Sequence, residues 1–404
     1  MPTDPAGIFH IPIAFAGREA ESVIAPYEIL FGNSEVRMRK ISKEEWARIR
    51  VHGRHNGKLP ITLYYAGSAI EFNVKASGLT VVLDASFGTN EQWITVLVND
   101  AFISRQMLYK GENLVPVFVN MNPDKVKKIR IIKETECFPD DSSAHLTVKD
   151  ILTDGVITEA PEKKKYTIEF IGDSITAGEG TMGDRGEDEW IPMFFSGYYN
   201  YTRMVSEIME ADYRTVSMGG WGIYCGWDNN IHCNIPSVYT KVCGLLTKTE
   251  DKLCGSLEDF DFSRDPANIV VVNLGTNDYS GFNQPPFTDS DGLSYKLSLD
   301  ENGDFNEESA KKVVKAGTDF LRLIRLYNPN AEILWCLGML GNGLEPLVLR
   351  FISEYREQTG DTRVNYTALP ETTEETMGSR FHPGLIAHVN AAEVIAKKLQ
   401  ELGL

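Results

Sequence analysis

Three short segments of the sequence carry side chains that together could perform acyl transfer. Ser174, in Gly-Asp-Ser-Ile-Thr, offers a hydroxyl nucleophile, Asn277, in Gly-Thr-Asn-Asp, offers an amide donor, and His382, before a proline, offers a general base. In acyl transfer the serine attacks a carbonyl carbon, the imidazole takes the serine proton, and amide groups stabilise the oxyanion that forms. The three residues predict a serine esterase if the fold brings them together.

Each of these segments also has an ordinary structural interpretation. A serine or aspartate directly after a strand is a good helix cap, and the asparagine could close an Asx-turn at the end of a buried strand. A lone histidine before a proline is more often structural than catalytic. The chemical interpretation therefore depends on the three segments meeting at one place in the fold.

A fourth segment, residues 217–222, reads Ser-Met-Gly-Gly-Trp-Gly and follows another predicted strand. Glycine allows a backbone N–H group to approach a reacting oxygen closely. We predict that the amides of Ser174 and Gly220 and the side chain of Asn277 hold the oxyanion. Gly219 is the alternative to Gly220.

The elements that must position these residues fall into two halves. Up to about residue 155 the hydrophobic pattern has period two, as in residues 70–74 and 126–132, and the apolar runs are separated by turn signals. Many short strands at this spacing predict a β-sandwich of jelly-roll type. We place this domain at residues 1–155 and a polar, proline-containing linker at residues 156–165.

Beyond the linker, from 166 to 404, strands alternate with helices. The pattern predicts a flavodoxin-like α/β domain with a parallel five-stranded sheet, whose strands are predicted at 166–171, 213–217, 268–274, 332–337 and 363–366. In such folds ligands bind at the carboxyl ends of the strands. All four chemical segments follow predicted strands.

The composition limits the partners. Of the 404 residues 42% are hydrophobic and 24% are charged, and the formal net charge is -17, which argues against nucleic acid or an anionic membrane as the partner. The six cysteines show no CxxC spacing, and four of them lie between Cys225 and Cys254, with His232 beside Cys233. We interpret them as reduced thiols rather than a metal site. The N-terminus shows no export signal and no long apolar run is present, so a cytoplasmic protein is expected.

Taken together, the four segments resemble the SGNH (GDSL-type) hydrolase superfamily, whose blocks supply Ser, Gly, Asn and His in that order. The resemblance assigns these roles to Ser174, Gly220, Asn277 and His382. Residues 65–72, which open the β-rich half, are similar to carbohydrate esterase family 2, in which a jelly-roll domain precedes an SGNH domain.

The resemblance implies an esterase that removes acetyl groups from plant-derived manno- or xylo-oligosaccharides and needs no metal or organic cofactor. One departure concerns the acid that orients the histidine, because the superfamily's aspartate positions hold Ser379 and Arg380 here. Either a backbone carbonyl orients His382, giving a Ser–His dyad, or a carboxylate arrives from elsewhere; the nearest in sequence are Glu371, Glu374 and Glu375. We favour the dyad.

Sugar recognition generally uses aromatic platforms beside polar groups. Candidate substrate-binding residues after the second block and in the loop after the nucleophile are Trp221, Tyr224, Trp227 and Trp190; Arg380 could bind a substrate group or lie on a solvated rim. Two other functions stay open: a lipase-like esterase or thioesterase of the same fold, and a non-catalytic carbohydrate-binding protein.

Overall fold

The computed structural model describes residues 27–31, 34–141 and 143–404. The N-terminal stretch on which the expectation of no export signal depends lies outside the described residues. Within them, no helix is both long and apolar enough to cross a membrane. In the same part of the chain, no group of three or more His, Cys, Asp or Glu side chains is arranged to hold a metal ion.

The N-terminal half consists mainly of short strands, as the period-two pattern predicts. Its described elements are β1 (Tyr27–Phe31), β2 (Ser34–Lys40), the short helix α1 (Lys43–Trp46), β3 (Arg50–His52), β4 (Ile61–Leu63), β5 (Ala69–Lys75), β6 (Leu79–Ala85), β7 (Trp93–Val98), β8 (Ala101–Met107), β9 (Gly111–Phe118), β10 (Lys127–Lys133), β11 (Leu146–Thr153) and β12 (Val156–Ile157).

These strands form, among the described residues, two antiparallel sheets of six strands each. One sheet has the order β1-β2-β11-β6-β9, with β4 also on β11; the other has the order β12-β5-β10-β7-β8, with β3 also on β5. Apolar side chains from both sheets, such as Phe72, Leu83 and Ile129, share one buried core, so the two sheets pack as a β-sandwich. The jelly-roll connectivity of this sandwich stays a prediction.

The boundary between the halves differs in one detail from the predicted linker. Strand β12 lies inside residues 156–165 and pairs antiparallel with β5, so the start of that segment belongs to the sandwich. The division into domains itself stays a prediction.

The C-terminal half alternates strands and helices. Its elements are β13 (Tyr166–Gly172), α2 (Ser174–Ala177), a 3₁₀ turn (Pro192–Phe194), α3 (Tyr201–Ile208), β14 (Ala211–Ser217), a second 3₁₀ turn (Ile235–Ser237), α4 (Thr249–Leu253), β15 (Ile269–Asn273), α5 (Thr276–Asn283), β16 (Phe287–Thr288), β17 (Ser294–Tyr295), α6 (Glu307–Tyr327), β18 (Glu332–Met339), α7 (Glu345–Thr359), β19 (Val364–Glu371), a third 3₁₀ turn (Ser379–Phe381) and α8 (Leu385–Glu401).

Within residues 166–371 a parallel five-stranded sheet has the order β14-β13-β15-β18-β19, which is the flavodoxin-like 2-1-3-4-5 order. The predicted parallel sheet is therefore confirmed. Every residue of β15 is buried, because helices cover both faces of the sheet. Helices α6 and α7 pack on one face and α3 and α8 on the other.

The two halves also share a buried ion cluster. The Arg54 guanidinium, from the sandwich half, lies 2.9 Å from a Glu169 carboxylate oxygen on β13, and Arg214 Nε on β14 lies 2.7 Å from the same oxygen. Tyr239 donates its hydroxyl to the other oxygen at 2.7 Å. The side chains of Arg54 and Glu169 are fully buried, so this ion pair joins the two halves through a buried contact.

Candidate active site

Ser174 lies at the carboxyl end of β13, at the first position of α2. Asp173 caps the helix by accepting a hydrogen bond from the Ile175 amide at 3.0 Å. As the first helical residue, Ser174 has an amide that the helix's own hydrogen-bond ladder does not use. Gly172 is needed before it, because a Cβ there would collide with Thr176 and with the Asn273 carbonyl on β15. The strand-to-helix turn thus presents both the hydroxyl and the amide of the serine.

His382 lies in the turn between β19 and α8, and its side chain reaches the serine. Its Nε2 is 2.9 Å from Ser174 Oγ, within the distance at which a general base takes a proton. Its Nδ1 is 2.9 Å from the backbone carbonyl oxygen of Arg380. A carbonyl accepts but does not donate, so Nδ1 carries the proton and Nε2 is free to act as the base.

The backbone of the turn is specialised for this contact. Arg380 and Phe381 both adopt positive φ angles, 52° and 58°, which are uncommon for residues other than glycine. The Arg380 amide donates to the Glu187 carbonyl at 2.8 Å, and the Gly378 amide donates to the His382 carbonyl at 2.8 Å. These bonds hold the turn that directs the Arg380 carbonyl at the imidazole.

The acidic alternatives for orienting the histidine lie elsewhere. Glu371 ends β19 opposite Met339, and Glu374 pairs with Arg185 at 3.0 Å on the surface. Glu375 is also exposed. The structure places a backbone carbonyl, rather than any of these carboxylates, against Nδ1.

Gly220 and Asn277 lie in the segments that follow the two strands next to β13. Gly172 at the end of β13 is level with Ser217 of β14 on one side and with Asn273 of β15 on the other, so the segments that follow these strands lie at one edge of the sheet. Gly220 has a φ of 75°, a conformation that favours glycine.

The Asn277 amide is already engaged within the protein. Its Nδ2 lies 3.0 Å from the Trp221 carbonyl and 3.2 Å from Asp173 Oδ2. Because the amide has two hydrogens, donation to an oxyanion requires one of these bonds to be shared.

Asp278, beside the predicted donor, binds the loop that follows β14 and carries Gly220. We call this segment the oxyanion loop. This buried carboxylate accepts hydrogen bonds from three successive amides, those of Ile223 at 2.8 Å, Tyr224 at 2.7 Å and Cys225 at 3.3 Å. Sequence analysis did not single out Asp278, although its place directly after Asn277 in Gly-Thr-Asn-Asp was a usable signal.

Two further carboxyl groups, those of Glu179 and Asp173, lie next to the Ser–His pair. Glu179 Oε1 is 3.2 Å from Arg380 Nη1, and its Oε2 is 3.7 Å from His382 Nε2. Burial raises the pKa of Asp173 to about 7 despite the hydrogen bond from the Ile175 amide. Because its guanidinium contacts Glu179, Arg380 binds a protein carboxylate at the site rather than lying free on a rim.

The sandwich half contributes Glu136 to the same place. Its Oε2 accepts the Gly219 amide hydrogen at 2.8 Å. Burial, and after it the negative charge of Glu179, raises the pKa of Glu136 to about 8, so at neutral pH this acid is largely protonated. No sequence signal connects residue 136 to residue 219, because the contact exists only when the two halves pack together.

The predicted aromatic residues take different positions. Trp227, about half exposed, lies against Gly220, where a Cβ would be 3.1 Å from its ring. Trp190 is partly exposed and packs edge-on against Phe138. Trp221 packs partly into the core, and Tyr224 lines a surface groove beside α6.

An exposed aromatic residue that the sequence analysis did not select is Phe381. It directly precedes His382 and is 71% exposed. Its position beside the base, not its residue type alone, makes it a candidate platform for a sugar ring.

A flavodoxin-like layer in which a serine after the first strand contacts a histidine from the turn before the last helix, with Gly220 and Asn277 after the adjoining strands, defines a serine hydrolase of the SGNH type. No protein-family model matches the chain. An acetyl xylan esterase (Est2A) from the rumen bacterium Butyrivibrio proteoclasticus has a similar solved structure, with 39% identity and a TM-score of 0.87, covering 91% of this chain and 98% of that one. The chain therefore belongs to carbohydrate esterase family 2.

More distant relatives agree with this family. The structure of a family two carbohydrate esterase from Cellvibrio japonicus has 21% identity and a TM-score of 0.72, covering 90% of this chain and 97% of that one. An acetylxylan esterase / glucomannan deacetylase from the same organism is 23% identical over 88% of each chain. Cellulase/esterase CelE from Acetivibrio thermocellus is 24% identical over 83% of this chain, which spans only 37% of the length of that relative.

Proposed function

We propose that this carbohydrate esterase removes O-acetyl groups from plant-derived oligosaccharides through an acetyl-enzyme intermediate on Ser174. The observation that carries the proposal is the 2.9 Å contact between Ser174 Oγ and His382 Nε2, with Nδ1 held by a backbone carbonyl. The names of the relatives, acetyl xylan esterase and glucomannan deacetylase, support acetylated xylo- or manno-oligosaccharides as the substrates.

In the first half of the reaction Ser174 Oγ attacks the acetyl carbonyl carbon while its proton passes to His382 Nε2. The oxyanion accepts hydrogen bonds from the backbone amides of Ser174 and Gly220 and from the Asn277 side chain. When the bond between the carbonyl carbon and the sugar oxygen breaks, the imidazolium returns the proton to that oxygen and the sugar hydroxyl leaves.

In the second half a water molecule attacks the acetyl-enzyme. His382 takes a proton from the water, the carbonyl carbon–Oγ bond breaks, and the proton returns to Oγ as acetate is released. The Arg380 carbonyl steadies the imidazole in both halves by accepting the hydrogen on Nδ1. The reaction therefore uses a dyad of Ser174 and His382.

The carbohydrate specificity that we propose draws on the exposed rings at the rim. Phe381 lies next to the base and Trp227 next to Gly220, so a sugar ring could rest between aromatic surfaces while its acetyl group enters the buried site. Ser174 is only 7% exposed, and the names of the relatives support an acetyl group as the acyl part of the substrate.

The proposal is tested by following acetate release from a mixed pool of acetylated xylo- and manno-oligosaccharides by NMR. Ser174→Ala should lower the rate on the order of 10⁴-fold or more, whereas Ser353→Ala, on the exposed surface of α7, should not change it. Unchanged deacetylation by Ser174→Ala would refute the proposed nucleophile. Aryl esters of increasing chain length complete the test, because faster turnover of long chains would indicate a lipase-like enzyme instead.

A further inference from the structure

A second cluster of chemically active side chains lies outside the Ser174 site. His145, at the start of the β11 region, places Nδ1 2.8 Å from Asp251 Oδ1 and Nε2 3.7 Å from Cys254 Sγ. Asp251 is on α4 and Cys254 follows the same helix. The three residues therefore form a carboxylate–imidazole–thiol chain across the junction of the sandwich and the catalytic half.

The neighbours of this cluster stabilise a negative sulfur. The hydroxyls of Thr62 and Thr147 lie 3.1 Å from each other, and after the His145 contact both contribute to lowering the pKa of Cys254. Asp251 is fully buried and also lies 3.3 Å from Ser143 Oγ. Because Asp251 holds the Nδ1 hydrogen, the imidazole is oriented with Nε2 toward the sulfur.

Cys254 is partly exposed, and its backbone is held in place. Cys254 is only partly buried, and the Tyr64 hydroxyl fixes its backbone by donating to the Cys254 carbonyl at 2.7 Å. The hydrogen bond from His145 lowers the pKa of Cys254. Burial lowers the pKa of His145, but the contacts with Asp251 and Cys254 outweigh it and raise the pKa to about 9.

Cys233 offers a matched comparison within the same chain. It too is partly buried, but burial raises its pKa to about 11, with a further contribution from Asp228. The two cysteines thus have similar exposure and opposite electrostatic surroundings. Any difference in their reactivity reports the effect of the His145 contact.

We propose that Cys254 is a nucleophilic modification site that undergoes thiol–disulfide exchange with small disulfides. The Cys254 thiolate attacks one sulfur of the disulfide, a new S–S bond forms as the old one breaks, and the second sulfur leaves as a thiolate. His145 keeps the proton that Cys254 has lost. The adduct is reversible, because an added thiol restores Cys254 by the same exchange.

The test uses the small probe 4,4′-dithiodipyridine, whose released thiopyridone is measured by absorbance while peptide mass spectrometry identifies the modified cysteine. At pH 6.5 we expect Cys254 to react at least about tenfold faster than Cys233, because a larger fraction of it is thiolate. The apparent pKa in the pH profile of the rate at Cys254 should lie below that at Cys233, because the His145 contact lowers the pKa of the first thiol and burial raises that of the second. Equal rates, or an apparent pKa at Cys254 as high as that at Cys233, would overturn the proposal.

Two variants separate the role of His145 from simple exposure. His145→Gln should slow the reaction of Cys254 about tenfold at pH 6.5 and leave Cys233 unchanged, whereas Cys254→Ser should remove the fast phase. Deacetylation by Ser174 serves as the check that each variant is folded. If His145→Gln does not fold, the comparison of Cys254 with Cys233 in the unaltered protein still decides the matter.

Discussion

The group that orients His382 is a main-chain oxygen, so its position depends on the backbone of the turn and not on the side chain at residue 380. Arg380 contributes its carbonyl to Nδ1 at 2.9 Å and, separately, its guanidinium to Glu179 at 3.2 Å. These two contributions have different consequences for substitution. The guanidinium affects the charge around the imidazole, whereas the carbonyl holds the ring in place.

We predict that Arg380→Gly keeps deacetylation within about tenfold of the unaltered enzyme, since glycine adopts the positive φ readily and retains the carbonyl. Asn277→Ala, which removes an oxyanion donor, should instead lower kcat on the order of 10²–10³-fold. Steady-state kinetics on one acetylated substrate compares the two variants. A loss of 10³-fold in Arg380→Gly would mean that the guanidinium, not the carbonyl, is the essential group.

For individual residues, the sequence predicts those that react but not the side chains that contact them. Ser174, Asn277 and His382 follow strands, so the parallel sheet alone brings them to one edge. Glu179 was not selected, because its distance from His382 depends on the conformation of two loops. Glu136 was not selected for a stronger reason, since its contact joins the sandwich half to the catalytic half.

The elements that position the oxyanion donors are two strand-to-helix connections that depend on each other. The loop after β14 carries Gly220, and the N-terminal turn of α5 carries Asn277 and Asp278. Asp278 binds three amides of the first loop, while Asn277 binds the Trp221 carbonyl of the same loop. Contacts with α5 therefore hold part of the loop conformation.

The bounds of the strands show which sequence patterns were sufficient to predict a strand and its burial. Strand β15, a continuous apolar run, was predicted within one or two residues, because burial on both faces requires that pattern. Strand β5 was predicted with one polar face, but the start of that face, Ala69 and Glu71, is also buried, and Tyr198 of the catalytic half packs with Ala69 and Ile132. Alternation reveals a strand but not what covers its second face.

Asp278→Asn tests the dependence of the loop on α5. A carboxamide keeps one acceptor oxygen and adds donors, so the three amides of the loop can no longer all be satisfied. We expect kcat for acetate release to fall tenfold or more while an organophosphonate still labels Ser174. Asp291→Asn, on the exposed surface, is the control. Full activity in Asp278→Asn would show that the loop holds its own shape.

For the whole molecule, the sandwich is part of the catalytic structure and not an appended module. Arg54 enters the catalytic half and pairs with Glu169 on β13, and Glu136 accepts a hydrogen bond from the Gly219 amide in the oxyanion loop. Both side chains are buried, so neither contact can be replaced by solvent without a cost in free energy.

Arg54→Met should therefore lower the free energy of unfolding by about 3 kcal/mol, because it leaves the buried Glu169 with one cation fewer. Lys58→Met is the matched control, since it breaks an exposed pair with Glu258 and surface pairs contribute at most about 1 kcal/mol. Urea unfolding followed by fluorescence measures both. Equal effects of the two substitutions would contradict the structural role assigned to the buried cluster.

Glu136→Gln connects the packing of the halves with pH. Burial raises the pKa of Glu136 to about 8 in the folded protein, against an ordinary value near 4.5, so between these values the folded state binds a proton that the unfolded state has lost. The stability that Glu136 contributes is therefore fully present below about pH 4.5 and is lost progressively as the pH rises toward 8.

Glutamine resembles the protonated acid at every pH and still accepts the Gly219 hydrogen bond. We expect Glu136→Gln to match the unaltered protein near pH 4.5 and to exceed its free energy of unfolding by an amount on the order of 4 kcal/mol at pH 8, since each pKa unit corresponds to about 1.4 kcal/mol. Urea unfolding across this range measures the difference, with the exposed Glu189→Gln as the control that should show none. A difference that is constant with pH, or that shrinks toward pH 8, would mean that Glu136 is ionised in the folded protein and that a charged carboxylate holds the oxyanion loop.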